Sequence, residues 1–418
     1  MKRFVQVTYH LMNKIINSKF IYCPKNGLLE DHSIVIKKNK IFSILPKKLS
    51  AKIKYPKIRL GNSIIIPGFV NAHIHLELNW VNQLLQPFSD FPSWLKQIIE
   101  LKKNNNQKKM VKESVAESLS ASIDSGVTTV GQISSYNGED IQEIKNSKIR
   151  CAYFFEIANS KLKMASLKKI RSKHKSVENS LINFRLFPHS IYSLDTASLI
   201  KIFKIAGDLK IGLGIHLSES NDEVKFIKGL KNKFDDKIFQ LLINKPLILR
   251  NKNFTPLSYL KKLNLLNHNP TLIHMNNISP TDKLVIEKYN LPITVCPRSN
   301  LFLNEKMPDI KFLINRNNIG LGTDGLSSNH SLNFLDEIRF LYLISKKILK
   351  NKTAERIIEI ATLGGAKCLN LEEEIGTIEN GKLADLIAFK VKSKDPLNSI
   401  INASNKDIKL KMINGEVI

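Results

Sequence analysis

The strongest constraint on the fold is the stretch IIIPGFVNAHIHLE at residues 64–77, in which an apolar run ends in two histidines. A β-branched run without polar alternation is typical of a strand that is buried on both faces. His73 and His75 are two positions apart, and side chains with this spacing point to the same side of a strand. The stretch predicts a buried strand whose end presents two imidazoles to one metal ion. The alternative is a pair of core or surface histidines.

Composition narrows the class of protein. The chain has 418 residues, a length compatible with a single barrel of more than about 250 residues, and its hydrophobic content of 43% allows a large core. The net charge of +27 is compatible with nucleic-acid binding, but the basic residues are spread over the whole length without Arg/Gly/aromatic interleaving. We therefore expect no nucleic-acid partner, and a positive field that would attract an anionic small molecule.

The cysteines and apolar segments bear on the compartment. Four cysteines are scattered without a CxxC pair: Cys23, Cys151, Cys296 and Cys368. This usage fits a reducing compartment and argues against a disulfide framework or a thiolate zinc site. His10, Asn13 and Lys14 interrupt the apolar region of a signal peptide, and no apolar run approaches the ~18–20 residues of a transmembrane helix. We expect a cytoplasmic protein without a membrane partner.

After residue 67, buried-looking segments alternate with helical ones. The candidate strands are 64–70, 128–133, 150–157, 184–189, 211–217, 271–275, 292–296 and 318–323. The candidate helices between them include 108–125, 195–209, 222–243, 279–290 and 333–350. Eight β–α units in ~300 residues predict an α/β protein with a (β/α)8 TIM-like barrel.

Both ends of the chain have the pattern of short strands and turns. These strands are predicted at 14–22, 33–37 and 40–45, at 376–389, and in a hairpin at 409–418. Neither end is large enough for a core of its own, so we predict that they pair into one composite β-sandwich. The predicted domains are residues 1–66 and 376–418 for the sandwich, with 1–11 as an extension, and residues 67–375 for the barrel.

Barrel enzymes place their active sites at the carboxyl ends of the strands. The polar residues predicted at these positions are His73, His75, His189, His216, Glu219, His274 and Asp324. Each has an ordinary explanation by itself, such as a buried core histidine or, for Asp324, a turn residue before Gly325. Together on one face, three histidines and an aspartate fit a divalent ion with an open position that activates water.

These motifs resemble the amidohydrolase superfamily, in the branch of cytosine, guanine, triazine and adenosine-type deaminases and chlorohydrolases. The matching segments are PGFVNAHIH at 67–75, HLSE at 216–219, His274, CPRSN at 296–300, GTDGLSSN at 322–329 and GTIENGKLADL at 376–386. The resemblance covers residues 12–418. It implies a distorted barrel with a β-sandwich built from both chain ends.

The resemblance also implies roles for individual residues. One divalent metal ion, zinc or alternatively iron or manganese, would be bound by His73, His75, His216 and Asp324. Glu219 would be the proton shuttle, His274 would orient the attacking water, and Asp324 would accept the proton of that water. No lysine follows the fourth predicted strand, where dinuclear members carry a carbamylated bridge, so a mononuclear site is implied.

Two further segments narrow the resemblance. FSDFPSWL at 88–95 and DGLSSNHSLNFLDEIR at 324–339 are most similar to aminofutalosine deaminases of the futalosine route to menaquinone. The implied substrate is a small purine nucleoside, 6-amino-6-deoxyfutalosine, and the products are futalosine and ammonia. The implied substrate contacts are His189, Phe88, Phe91 and Trp94. A packed lid without ligand contact is the alternative for residues 88–95, and HSIY at 189–192 departs from the HAPY of many relatives while keeping the histidine.

Other activities stay open at this point. Deaminases of S-adenosylhomocysteine, methylthioadenosine or guanine and triazine-type chlorohydrolases share the motifs at the metal site. A basic nucleic-acid-binding protein without catalysis is the alternative from another class, and the complete ligand set together with Glu219 argues against it. The oligomeric state is also open, with a homodimer as one option.

Overall fold

The computed structural model describes residues 12–103, 107–158, 167–241 and 247–418, so the extension predicted at 1–11 lies outside the described residues. The strands are β1 (Lys14–Asn17), β2 (Phe20–Cys23), β3 (Gly27–Glu30), β4 (His32–Lys37), β5 (Lys40–Pro46), β6 (Lys57–Arg59), β7 (Ser63–Pro67), β8 (Phe69–Ile74), β9 (Val127–Ser134), β10 (Arg150–Ile157), β11 (Ile182–Pro188), β12 (Gly214–Leu217), β13 (Thr271–His274), β14 (Ile293–Val295), β15 (Ile319–Leu321), β16 (Leu386–Lys390), β17 (Ile408–Ile413) and β18 (Glu416–Val417).

Helices cover and connect these strands. They are α1 (Lys47–Ser50), α2 (Asn79–Asn82), α3 (Phe91–Leu101), α4 (Lys108–Asp124), α5 (Ile141–Ser147), α6 (Leu167–Val177), α7 (Thr196–Leu209), α8 (Asn221–Ile227), α9 (Pro256–Lys262), α10 (Pro280–Tyr289), α11 (Pro297–Phe302), α12 (Ile310–Leu313), α13 (Phe334–Leu349), α14 (Thr353–Glu359), α15 (Gly365–Cys368) and α16 (Pro396–Ile401). The helix predicted at 222–243 is shorter, because α8 ends before Gly229, which has a φ of +69°. Within the described residues, no helix is both long and apolar enough to cross a membrane.

All four cysteines are buried free thiols.

The eight strands β8 to β15 form a parallel barrel. Their hydrogen-bonded order is β11-β10-β9-β8-β15-β14-β13-β12. The two ends of this row meet through parallel bridges from Leu186 to Leu213 and from Ser190 to His216, which close the barrel. Parallel neighbours require crossover connections, and here helices supply most of them. The predicted (β/α)8 barrel is confirmed.

The two chain ends build the composite sandwich, which is also confirmed. One sheet has the order β18-β17-β16-β7-β2-β3 and the other β5-β4-β1-β6. Apolar side chains from both sheets, among them Ile16, Ile34, Ile65 and Met412, form a core separate from that of the barrel. The C-terminal part joins the N-terminal part where β16 pairs antiparallel with β7.

The run predicted as one strand at 64–70 consists of two strands in different sheets, so this expectation was wrong. β7 ends in the sandwich at Pro67, and β8 begins in the barrel at Phe69. Gly68 lies between them, and a Cβ at this position would be 2.1 Å from Thr128 Oγ1. Only glycine allows so close an approach of the backbone. The domain limits themselves stay a prediction.

A buried ion pair fastens the sandwich to the amino-terminal end of the barrel. Arg150, the first residue of β10, is 1% exposed, and its Nε and Nη2 donate to Asp385 at 2.7 and 3.2 Å. The carboxylate of Asp385 also accepts from the backbone N–H of Asn414 at 2.7 Å. The arrangement therefore satisfies a buried charge with three donors.

Candidate active site

The opposite, carboxyl end of the barrel brings the predicted polar residues together. His73 lies near the end of β8 and His75 directly follows that strand. His216 lies in β12, His274 ends β13, and Asp324 lies in the loop after β15. All five side chains are buried, with exposed fractions between 0% and 8%. Because parallel strands end at one rim, four distant chain segments converge on one point.

Three imidazoles and a carboxylate form a compact cluster. The ring centroids of His73, His75 and His216 are 5.0 to 5.5 Å apart. One nitrogen from each of these rings lies within 4.8 Å of the others. Asp324 Oδ1 lies 3.4 Å from His73 Nε2 and 3.6 Å from His75 Nε2. The geometry allows several of these atoms to bind one small cation.

The protonation states of the cluster suit a metal. Burial lowers the pKa of both His75 and His216 well below the usual value, so their rings are neutral near pH 7. Both ring nitrogens of His73 and Nδ1 of His75 are buried without a hydrogen-bond partner among the described residues. Buried polar atoms are normally paired, and neutral imidazole is the form that binds metals. The residues present therefore fit a divalent ion.

Asp324 is held in one orientation by two serines. Ser299 Oγ and Ser328 Oγ each donate to its Oδ2 at 2.7 Å, while Oδ1 faces the histidines. Burial opposes ionisation of this carboxyl, but the imidazoles around it, with His73 the nearest, outweigh it. The pKa of Asp324 is consequently well below its usual range. The side chain is an ionised carboxylate with one oxygen available.

Glu219 has the opposite electrostatic environment. Its side chain is buried, and Oε1 lies 3.3 Å from His274 Nε2. Burial, followed by the charges of Asp324 and Glu223, raises the pKa of Glu219 well above its usual value. Burial also lowers the pKa of His274 to about 4, so this imidazole is neutral. A protonated and an ionised carboxyl group at one site can divide the acid and base roles of a reaction.

The backbone at the strand ends is strained. Ser218, His274 and Asp324 have φ values of +54°, +75° and +59°, in the left-handed region that favours glycine. Such conformations cost on the order of 1–3 kcal/mol each, and they persist where the surrounding structure imposes them, often at functional sites. The conformation of these residues is therefore imposed by the fold around the site.

A sequence model described as the amidohydrolase family matches residues 64–418. The chain belongs to the amidohydrolase family.

The family match confirms the resemblance that the sequence motifs indicated. The 5-methylthioadenosine/S-adenosylhomocysteine deaminase of Teredinibacter turnerae is 26% identical over 390 residues, which cover 89% of this chain and 82% of the relative. A protein named adenosine deaminase from Helicobacter pylori is 27% identical over 406 residues, which cover 92% and 93%. The crystal structure of Helicobacter pylori aminofutalosine deaminase has a TM-score of 0.82 at 25% identity and covers 97% of this chain and 100% of that chain.

A cavity of about 290 Å³ opens onto the cluster in this amidohydrolase. The polar part of its lining includes His75, His216, Glu219, His274 and Asp324, and the apolar part includes Leu78, Phe91, Trp94, Leu95, Ile98 and Tyr192. Trp94 Nε1 donates to the carbonyl oxygen of Ser327 at 2.7 Å. This bond ties α3 to the loop that carries Asp324. The cavity thus combines a polar metal-type cluster with a mostly apolar wall, as ligand sites commonly do.

The predicted substrate contacts fall into two groups. His189, Phe91 and Trp94 line the cavity, whereas Phe88 is not among its lining residues within the described parts of the chain. The Phe88 ring instead lies 5.9 Å from that of Phe302. His189 has its Nδ1 3.0 Å from Ser190 Oγ, and its ring centroid is 5.0 Å from that of His216.

Several residues of the amidohydrolase site were missed by sequence reasoning. Glu156 lines the cavity near the end of β10, with Oε1 4.0 Å from His189 Nε2, and the rule of strand ends would have found it. Ser299 and Ser328 lie in motifs that were recognised, although no local signal showed that they hold Asp324. Lys102 also lines the cavity, directly after α3, and nothing in the surrounding sequence distinguishes it from other lysines.

Proposed function

We propose that this amidohydrolase is a metal-dependent deaminase that hydrolyses 6-amino-6-deoxyfutalosine to futalosine and ammonia, a step of the futalosine route to menaquinone. The observation that carries the proposal is a buried cluster of three histidines and Asp324 with a second buried carboxyl group, that of Glu219, beside it. Hydrolytic deamination of a purine ring needs both an acid and a base at the attacked carbon. Similarity to proteins named as deaminases of adenosine-type nucleosides supports this class of reaction.

The residues that would hold the ion are His73, His75, His216 and Asp324. Zinc is the proposed ion, with iron or manganese as alternatives, because imidazole nitrogen and carboxylate oxygen suit these borderline cations. When bound, such an ion lowers the pKa of a coordinated water towards ~7 and so supplies a nucleophile at neutral pH.

The protein side chains would move the protons. Asp324 takes one proton from the attacking water through its ionised carboxylate, and neutral His274 orients that water. Glu219 gives its proton to the ring nitrogen beside the attacked carbon, takes the proton of the new hydroxyl group and passes it to the amino group. The proton held by Asp324 then restores the acid form of Glu219. The carbon–nitrogen bond breaks, ammonia leaves, and the ring carbon keeps the oxygen as a carbonyl. Each carboxyl group thus acts from the protonation state that its environment favours.

The cavity wall would hold the rest of the nucleoside. Phe91 and Trp94 offer an apolar face to the purine or to the aryl group of the substrate. His189 and Glu156 lie together at one side of the cavity, where they can exchange hydrogen bonds with the ribose hydroxyls. The mainly apolar lining would keep bulk water from the reacting carbon.

Ammonia release from a substrate panel tests the proposal. The panel is 6-amino-6-deoxyfutalosine, 5′-methylthioadenosine, S-adenosylhomocysteine, adenosine and guanine. We expect the first to have the highest kcat/KM. Equal or faster deamination of another compound would refute the substrate and keep the reaction class, whereas no ammonia from any of them would refute the class.

A second candidate is a 5′-methylthioadenosine/S-adenosylhomocysteine deaminase. It is favoured by the similarity to the Teredinibacter turnerae protein, which extends over 89% of this chain. The same panel separates the two candidates, because the methylthio compound carries no anionic group at the end far from the purine.

A further inference from the structure

We propose that Lys102 is the residue that binds an anionic group at the end of the substrate far from the reacting ring, and that it thereby sets specificity. The inference rests on the proposed deaminase function, which places the purine over the histidine cluster. It adds the identity of the cation and the chemical class of the distal group, a carboxylate.

Lys102 is the C-cap residue of α3, and its side chain lines the cavity. Trp94, Ile98 and Lys102 are spaced by four residues, so they share one face of the helix, and all three line the cavity. The indole of Trp94 is bonded to Ser327, beside the loop of Asp324. Lys102 lies eight residues further on, about 12 Å along the helix axis. The row therefore places Lys102 on the same wall of the cavity as Trp94 and Ile98.

The charge of Lys102 is not neutralised by a direct ion pair. Its half-buried Nζ donates to Ser135 Oγ at 2.6 Å and lies 4.7 Å from the ring centroid of Tyr136. Within the described parts of the chain, no carboxylate lies within 4.0 Å of this ammonium. An ammonium has three N–H donors, and one of them bonds to Ser135. The remaining donors are available to a ligand.

A buried carboxylate holds the hydroxyl partner in place. Ser135 donates to Glu77 Oε1 from both its backbone N–H and its Oγ, at 2.5 and 2.6 Å. Ser135 Oγ therefore offers a lone pair to Lys102 in a fixed direction. Burial, and next the charge of Asp140, raises the pKa of Glu77 well above its usual value. Glu77 is linked to Lys102 through Ser135 and makes no direct ion pair with it among the described residues.

Other lysines near this region have partners. Lys103 also lines the cavity, but it is exposed, and its Nζ donates to the carbonyl oxygen of Leu241 at 3.4 Å. Lys233 and Lys237 contact the carboxylate of Asp90 at 2.8 and 3.2 Å. Lys96, on the exposed side of α3, lies 3.8 Å from Glu100. Lys102 is half-buried in the cavity wall and makes no direct ion pair among the described residues, so its ammonium can form a charge-assisted hydrogen bond with a carboxylate. A substrate tail with an apolar aryl group and a carboxylate matches this wall.

The test uses Lys102→Met, which keeps an apolar stem and removes the charge, with Lys96→Met on the same helix as the matched control. Two substrates are compared: 6-amino-6-deoxyfutalosine and its analogue in which a phenyl group replaces the carboxyphenyl group. For Lys102→Met we expect the ratio of kcat/KM between the two to fall roughly 10- to 100-fold, mainly through KM, the scale of a hydrogen bond to a charged group. Lys102→Arg should recover most of the ratio, and Lys96→Met should keep it.

An equal loss for both substrates would overturn the inference, because it would mean a structural role for Lys102. A wild-type enzyme that deaminates both substrates equally well would also overturn it, and this measurement needs no variant. If the wild-type protein releases no ammonia from any adenosine derivative, the proposed function itself fails, and the two failures are thus distinguishable.

Discussion

The two ends of the barrel each bury an aspartate, and they provide for its charge in opposite ways. At the amino-terminal end, Asp385 accepts three hydrogen bonds, two from Arg150 and one from the backbone of Asn414. At the carboxyl end, Asp324 Oδ2 accepts from two serines, but Oδ1 faces imidazoles whose nitrogens are partly unpaired among the described residues. The protein supplies the hydrogen-bond donors of the Asp385 carboxylate, whereas Asp324 keeps one oxygen for a bound ion.

The difference shows how one barrel separates stability from chemistry. At the amino-terminal end, the barrel joins the sandwich through the buried ion pair of Arg150 and Asp385, and this end of the barrel contributes to stability. The carboxyl end combines left-handed backbone at Ser218, His274 and Asp324 with buried, unpaired polar atoms. Such features lower stability, and a binding site retains them because they position ligands and protons.

Replacing Asp324 by alanine should have the largest effect. We expect activity to fall by about 10⁴-fold or more, the scale seen when a member of a catalytic group is removed. The metal content should fall from about one ion per chain, because a ligand is lost. The free energy of unfolding of the metal-free protein should change little, since a buried charge is removed but the alanine keeps the left-handed backbone at this position. Ammonia release, elemental analysis and denaturant titration measure these quantities, and full activity after complete metal removal would contradict the prediction.

Glu219→Gln should separate catalysis from metal binding at the same end. The amide has nearly the same shape but cannot supply a proton, so we expect kcat to fall by about 10²- to 10⁴-fold. The metal content should stay the same, since Glu219 lies beside the proposed ligands and is not one of them. Near-normal turnover in this variant would refute its role as proton shuttle.

Arg150→Met at the opposite end should lower stability and leave catalysis unchanged. It leaves Asp385 buried without its cation, which typically lowers the free energy of unfolding by about 3–5 kcal/mol. The kcat of the protein that remains folded should be unchanged, because the pair lies at the far end of the barrel. Combining Arg150→Met with Asp385→Leu should restore part of the stability. A loss of kcat with normal stability would break the contrast between the two ends.

The smallest expected effect is a change in the pH dependence of stability, and it also arises at the carboxyl end of the barrel. Burial raises the pKa of Glu337 to about 8, against an ordinary value of 4.5, despite the nearby Arg298. The folded protein therefore retains this proton over a range in which the unfolded chain has lost it. This contribution to stability is fully present below about pH 4.5 and is lost as the pH rises towards 8. Glu337→Gln should flatten the decline in melting temperature between pH 5 and 8, and an unchanged slope would argue against it.

The barrel and the polar cluster were predictable because their signals are local and ordered. Five of the eight buried apolar segments have a histidine or an aspartate at or near their carboxyl end, so a rule about strand ends was enough to group His73, His216, His274 and Asp324. The prediction of a single strand at 64–70 was wrong because a strand buried on both faces has the same sequence pattern in a barrel and in a sandwich. The proposed role of Lys102 could not be predicted, since it depends on the position of this side chain in the cavity wall, which no local sequence signal indicates.

The pairing of β7 with β16 has a consequence for synthesis of the chain. β7 ends at Pro67 and its antiparallel partner begins at Leu386, some 320 residues later. At a translation rate of about 5–20 residues per second, β7 has only its other neighbour, β2, for roughly 15–65 s. A nascent chain thus presents an apolar strand edge throughout the synthesis of the barrel. Chaperones that cover exposed strands would act in this interval, before residues 386–418 complete the sheet.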